Sequence, residues 1–211
     1  MITIGFLHTA DVHVPTFRSL LRELAPGIAD RHVVDPGLLA DARAGRPYQD
    51  GLRARLGELA AAGAEVILCT CSTIAGAAER AAANVVRIDR PMAEAAARYP
   101  RIGLAYAVES TLAPTRALLA EVGAGDRVVE IACPAAWPLF EAGDLPGYHA
   151  AVADRVRAAA GTVDVVLLAQ ASMAPAAALL ADLPVPVLAS PALAVREAAS
   201  RARRPLADRN A

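Results

Sequence analysis

Lysine is absent from this 211-residue chain, and all 21 basic side chains are arginine. That absence removes Schiff-base chemistry and lysine-dependent phosphate loops from consideration. Aromatic residues are scarce at 4%, too few for base stacking or an aromatic-lined ligand groove. Charge of one sign is also lacking: 21 basic against 22 acidic residues leave a formal net charge of −1. This balance argues against nucleic acid or an anionic membrane as partner. The three cysteines, Cys69, Cys71 and Cys133, are an odd and sparse set, unlike a disulfide framework. No basic stretch precedes the short apolar run of Met1–Val14, and charges or prolines interrupt every candidate for a membrane span of ~20 residues. The expectation is a soluble, cytoplasmic protein with reduced thiols.

What the chain does have is apolar content, 55% against 20% charged, enough to bury a sizeable core. β-rich apolar runs alternate with alanine-rich helical patterns. Strands are expected at Ile2–His8, His32–Asp35, Glu65–Cys71, Val85–Ile88, Arg101–Tyr106, Arg127–Ala132, Val163–Ala169 and Val185–Ala189. Helical patterns lie between them, at Pro15–Ala25, Gly51–Ala62, Thr111–Val122, Tyr148–Ala160 and Ser190–Arg203. Runs apolar at successive positions indicate strands buried on both faces, and strand–helix alternation indicates parallel sheets.

An internal repeat sharpens this into an α/β architecture of two pseudo-symmetric, doubly wound parallel-sheet lobes. Ile4-Gly5-Phe6-Leu7 recurs 98 positions later as Ile102-Gly103-Leu104-Ala105. Pro15-Thr16 recurs as Pro114-Thr115, and Glu65-Val66-Ile67-Leu68 as Asp164-Val165-Val166-Leu167, both 99 positions later. Leu20-Leu21 likewise recurs as Leu118-Leu119, and four matches in one order at nearly constant offset imply homologous halves. The expected division is a first lobe over 1–97, a second over 98–189, and a C-terminal helix with a polar tail over 190–211, the helix packing on the first lobe. Ligands of open parallel sheets bind beyond the carboxyl ends of the strands, which predicts an active-site cleft between the lobes.

The segment from Val66 to Gly76 runs from a buried strand through Cys69-Thr70-Cys71-Ser72-Thr73 into a helix. A thiol there meets free backbone N–H groups and the positive end of the helix dipole, which favour the thiolate. Ser72 and Thr73 supply hydroxyls suited to a carboxylate. The alternative is that Cys71 is a small buried residue; Cys69, on the same side but deeper, reads as structural. No second ligand pair has zinc spacing, so no metal is expected. His8, at the end of the first strand, reads either as a proton carrier or as a satisfied structural histidine. Asp11 and His13 follow on the same loop. Tyr106 and Glu109 occupy the equivalent region of the second lobe. A helix start or an interlobe salt bridge is the reading for His32 and Asp35 and for Asp89-Arg90-Pro91, and His149 is read as a surface residue.

These motifs resemble the aspartate/glutamate/hydantoin racemase superfamily, which also holds arylmalonate decarboxylase and maleate isomerase. The resemblance covers almost the whole chain. It implies two pseudo-symmetric α/β lobes, no cofactor, and one cysteine from each lobe flanking the substrate α-carbon. Cys71-Ser72-Thr73 is similar to the first-lobe Cys-Asn-Thr of these enzymes, which implies that Cys71 is the first catalytic cysteine. The stretch Ile102–Thr115 resembles the second-lobe segment whose hydroxyls bind the substrate carboxylate, mapping to Ser110 and Thr111. The second-lobe Gly-Cys-Thr is replaced by Gln170-Ala171-Ser172: aligning the following prolines puts Ala171 at the missing cysteine, whereas the ungapped repeat puts Gln170 there.

The resulting expectation is a cofactor-independent enzyme of the racemase, isomerase and decarboxylase type. It acts by proton transfer or thiol chemistry at the carbon next to a carboxylate of a small acid, more in the manner of a decarboxylase or isomerase than of a two-cysteine racemase. Cys71 and His8 would be catalytic; Ser72, Thr73, Ser110, Thr111, Gln170 and Ser172 would bind a small carboxylate substrate. The alternatives are an amino-acid or hydantoin racemase with a non-cysteine second acid, and a non-catalytic carboxylate-binding protein. A homodimer is the common default for such domains.

Overall fold

The structure, a computed structural model, describes residues 1–204. The chain begins with β1 (Thr3–His8), α1 (His13–Leu24), β2 (Ala29–Val34), α2 (Pro36–Arg43), α3 (Gln49–Ala61), β3 (Val66–Cys69), α4 (Ser72–Ala81) and β4 (Val85–Arg87). It continues through α5 (Arg90–Ala96), β5 (Ile102–Tyr106), α6 (Glu109–Glu121), β6 (Val128–Ala132), α7 (Trp137–Glu141), α8 (Leu145–Ala159), β7 (Val165–Leu168), α9 (Ala176–Leu179), β8 (Val187–Ala189) and α10 (Ser190–Arg203). Of the C-terminal helix and polar tail expected over 190–211, residues 205–211 lie outside the described residues.

Two compact units result: one from Met1 to Arg90, joined by the C-terminal helix from Pro191, and one from Pro91 to Ser190. The first holds a four-stranded sheet in the order β2-β1-β3-β4, the second a four-stranded sheet in the order β6-β5-β7-β8. Every strand pair is parallel. The two halves of the sequence repeat thus fold with the same strand order, and the fold is α/β with parallel sheets. Among the described residues no helix is long and apolar enough to cross a membrane.

The apolar runs form the central strands because both faces of each are covered. Ile4, Phe6 and Leu7 of β1 and Val165 to Leu168 of β7 are fully buried; each such side chain contributes about 1.5–3 kcal/mol of transfer free energy. In the first unit Leu7, Ile67 and Cys69 pack against Leu52, Leu56 and Leu59 of α3 and Ile74 of α4. In the second, Ala105, Val166 and Leu168 pack with Tyr148, Val152 and Val156 of α8. The repeated glycine has a steric cause. A Cβ on Gly5 would stand 2.9 Å from Cβ of Ala64, and one on Gly103 2.8 Å from Cδ1 of Ile131. The demand for bare backbone is strict at Gly5, which faces a fixed Cβ, and softer at Gly103, which faces the movable tip of Ile131.

β2 departs from the expected His32–Asp35. It starts at Ala29, because Asp30, Arg31 and His32, polar in sequence, extend along the register Ile4↔Asp30, Gly5↔Arg31 and Phe6↔His32 on an edge of the sheet. Asp35 lies outside the strand: its carboxylate accepts from the N–H of Gly37 at 3.0 Å and caps α2, a stabilising role at a helix N-terminus.

Candidate active site

In the first unit the carboxyl ends of β1 and β3 lie side by side, with Leu7 opposite Cys69. Past the end of β3 the Thr70 N–H donates to the Leu7 carbonyl at 3.0 Å, extending the ladder by one bond. Cys71 follows as the extended N-cap residue of α4; its carbonyl accepts from Ile74 and Ala75, and its side chain makes no cap bond. Of the three free thiols, those of Cys69 and Cys133 are buried and that of Cys71 is partly open. Burial pushes the Cys69 thiol well above its ordinary range, with Cys71 and Asp89 adding to the effect, and pushes Cys133 up to about 11. Ser72 is buried and Thr73 half-buried in the first turn of α4.

His8 is wholly buried, with both ring nitrogens engaged. Nδ1 lies 2.9 Å from Oγ1 of Thr70, and Nε2 2.9 Å from Nδ1 of His32. His32 in turn places Nε2 2.7 Å from Oδ2 of Asp30, which also accepts from Nε of Arg18 at 2.8 Å. Phe6 stacks on the His32 ring at 4.9 Å between centroids, and Phe17 leans on His8 at 5.5 Å. Desolvation in this aromatic setting is the main reason His8 is lowered to about 3, with repulsion from His32 and His13 adding to it. Desolvation also lowers His32, although Asp30 opposes it, and lowers His13 at the start of α1. Asp30 stays ionised down to about 2, because the hydrogen bonds from Arg18 and His32 outweigh its desolvation.

Beneath α4 lies a bidentate ion pair. Nε and Nη2 of Arg87 donate to the two oxygens of Asp89 at 2.8 and 3.0 Å, with exposures of 3% and 0%. The Asp89 pair therefore closes within the first unit. Arg90 pairs with Glu79 of α4, also within the same unit.

The second unit repeats the frame with other side chains. The Ala169 N–H donates to the Ala105 carbonyl at 2.9 Å, just as Thr70 does to Leu7. The residue after it, Gln170, is the extended N-cap of a short 3-10 turn, Ala171–Met173. The structural counterpart of Cys71 is therefore Gln170, in the ungapped register, rather than Ala171. Oε1 of Gln170 accepts from the N–H groups of Ala107 and Val108 at 2.7 and 3.1 Å, tying the β5–α6 loop to the end of β7. Oγ of Ser172 lies 2.8 Å from the hydroxyl of Tyr148, and Nε2 of His149 3.0 Å from the Ser172 carbonyl. His149 is thus half-buried and bound to this turn rather than a simple surface residue. Burial pushes the Tyr148 hydroxyl up to about 12. Glu109, Ser110 and Thr111 form the first turn of α6, where Thr111 is buried and Glu109 exposed.

Sequence reasoning did not connect His8 with His32 and Asp30, or Ser172 with Tyr148. The hidden signal for the first was the β1–β2 register, which sets His32 beside Phe6.

No family model matches the chain, and no curated protein matches it in sequence. Solved structures do match over nearly its whole length. An aspartate racemase from Picrophilus torridus superposes with a TM-score of 0.73 at 13% identity, over 98% of this chain and 96% of that one. Its fold is the racemase fold. An allantoin racemase from Klebsiella pneumoniae matches at TM-score 0.68 and 18% identity, over 95% of this chain and 87% of the other. An arylmalonate decarboxylase matches at 0.58 and 17%, over 95% and 92%. The racemase fold so identified agrees with the resemblance drawn from Cys71-Ser72-Thr73 and the internal repeat.

Proposed function

We propose that the protein is a cofactor-independent enzyme acting at the carbon next to a carboxylate of a small acid. In this reading Cys71 is the group that adds or removes the proton. One observation carries it: the turn that begins with a partly open thiol in the first unit begins with Gln170, committed to two backbone N–H groups, in the second. Chemistry that needs an acid and a base on opposite sides of one carbon has a thiol for only one of them. Decarboxylation or isomerisation can proceed with a single positioned proton carrier, which favours that outcome over two-cysteine racemisation. The hydroxyls of Ser72, Thr73, Ser110, Thr111 and Ser172 serve as carboxylate-binding groups. His8, with both nitrogens bonded inside the protein, acts through Thr70 rather than on the substrate itself.

A second reading has its own observation. The wholly buried Tyr148 hydroxyl bonds Ser172, two residues after Gln170, and a proton passed through the Ser172 hydroxyl would complete a racemase with a non-cysteine acid. Incubation of a panel of small carboxylates in D₂O, followed by NMR and polarimetry, separates the two. The first reading expects Cys71-dependent product or α-deuteration of one enantiomer, with optical rotation kept. Cys71-dependent loss of rotation that Tyr148→Phe abolishes would establish the second. No Cys71-dependent turnover or exchange of any acid would leave a carboxylate-binding protein.

A further inference from the structure

We infer that His8, His32 and Asp30 form a one-proton store that fills from the Thr70 side, with the proton resting on His32 while His8 changes tautomer. The functional meaning given to it rests on the β3–α4 turn being the reactive site.

The inference follows from counting donors and acceptors along one chain of contacts. Thr70 has a single hydroxyl hydrogen and two acceptors within reach: Nδ1 of His8 at 2.9 Å and the Leu7 carbonyl at 3.0 Å. The Leu7 carbonyl already accepts the Thr70 N–H, so it is satisfied either way. Each neutral imidazole carries one N–H and one lone pair. Asp30, an acceptor only, demands a hydrogen on Nε2 of His32. If both rings are neutral, His32 then presents a bare Nδ1, His8 must donate to it from Nε2, and Nδ1 of His8 must accept from the Thr70 hydroxyl. Every contact is satisfied, and all the hydrogens point toward Asp30.

The same atomic positions fit one alternative equally well. A proton delivered to the Thr70 oxygen displaces that residue's own hydrogen onto Nδ1 of His8. The hydrogen on Nε2 of His8 passes to Nδ1 of His32, and the newly delivered hydrogen turns to the Leu7 carbonyl. His32 is now an imidazolium facing the Asp30 carboxylate, and His8 is neutral again as the other tautomer. One proton has entered, no bond between heavy atoms has changed, and no contact is lost.

The Asp30 end cannot load the store. With both rings neutral, the lone pair on Nδ1 of His32 is taken by the Nε2 hydrogen of His8, so a new hydrogen enters the rings only at Nδ1 of His8, as the Thr70 hydroxyl turns to the Leu7 carbonyl. Thr70 directly precedes Cys71, so the open end belongs to the same β3–α4 turn that carries the proposed site. Placement of the charge on His32 is supported by its surroundings: His32 has a carboxylate against it, whereas His8 meets His13 from α1, His32 from β2 and the rings of Phe6 and Phe17. Arg18 of α1 faces Asp30 and His32 and opposes the charge. His32 and Asp30 are positioning residues in this scheme, since neither touches substrate.

The test is NMR of the substrate-free protein labelled with ¹⁵N-histidine. At neutral pH both rings should be neutral with hydrogen on Nε2. On acidification His32 should become doubly protonated and His8 should move its hydrogen to Nδ1, both with one shared midpoint, as coupled sites require. Asp30→Asn should lower that midpoint by about one pH unit or more. Arg18→Gln, at a more exposed position, should raise it and covers the case in which Asp30→Asn does not fold. A His8 ring that keeps its tautomer while His32 titrates, or a His8 ring that is doubly protonated first, overturns the store. Because no substrate is present, this result stands apart from the D₂O experiment: either can fail while the other holds.

Discussion

The two units share a backbone frame and differ in what the frame holds. At the end of the first strand stand His8 in one unit and Tyr106 in the other; after the third come Thr70 and Cys71 in one, Ala169 and Gln170 in the other. The ladder bonds that fix these positions, Thr70 to Leu7 and Ala169 to Ala105, differ by 0.1 Å. In the first unit the frame presents a thiol and a chain of three titratable side chains. In the second it presents an amide that holds its own loop. Identical topology therefore specifies where a reactive group can stand and leaves its chemistry to a few side chains.

The sharpest way to break the comparison is to remove the equivalent residue from each unit. Cys71→Ala should lower turnover or α-deuterium exchange by on the order of 10³-fold, whereas Gln170→Ala should leave it within about tenfold. Similar losses from both would mean that the units share the chemistry, and the contrast would fail.

Next in size is the buried ion pair, which only the first unit has among the described residues. Asp89→Ala strands the Arg87 guanidinium at 3% exposure and should destabilise the protein by about 3–5 kcal/mol in urea denaturation. A loss below about 1 kcal/mol would show that water reaches Arg87.

Acid should act unequally too. The unfolded chain protonates His8 near the ordinary imidazole value of 6.5, while the folded chain resists down to about 3. Between those limits the unfolded state binds more protons, so stability falls as pH falls. From pH 7 to 5, His8 alone should account for about 2 kcal/mol. Native-state hydrogen exchange, corrected for intrinsic rates, should show β1 and β3 amides losing protection over this range ahead of those of β5 and β7. Equal losses in both units would remove the buried histidines as the cause.

Much of this was legible in one dimension, and for physical reasons. β1, β3, β5 and β7 are buried on both faces, so their apolar runs were unmistakable. The Cys71 turn could be seen because small polar residues follow such a run directly. The start of β2 could not, since Asp30, Arg31 and His32 are an unlikely strand until the sheet edge and Phe6 are present. Nor could the His8–His32–Asp30 chain, which depends on cross-strand register. Tyr148 sits 24 residues from Ser172 on a helix, and no periodicity links them. The choice between Ala171 and Gln170 as the partner of Cys71 needed the ladder itself.

The smallest expected effect concerns the amide. Gln170→Ala unpairs the N–H groups of Ala107 and Val108 and should cost about 1–2 kcal/mol, less than full burial would, because water can reach this half-buried loop. Thermal unfolding measures it, and no change in Tm would show that the loop holds without it.

That amide also bears on how such a protein could change its reaction. A second thiol would have to stand where Gln170 now joins two segments of backbone, so Gln170→Cys exchanges a fastener for a nucleophile in one step. The variant would arrive with the β5–α6 loop, the one proposed to bind the carboxylate, loosened just when a substrate must be held still. A lineage moving between one-thiol and two-thiol chemistry on this frame would therefore need to stiffen the β5–α6 loop by other means first, and the order of those two changes becomes a constraint on its history.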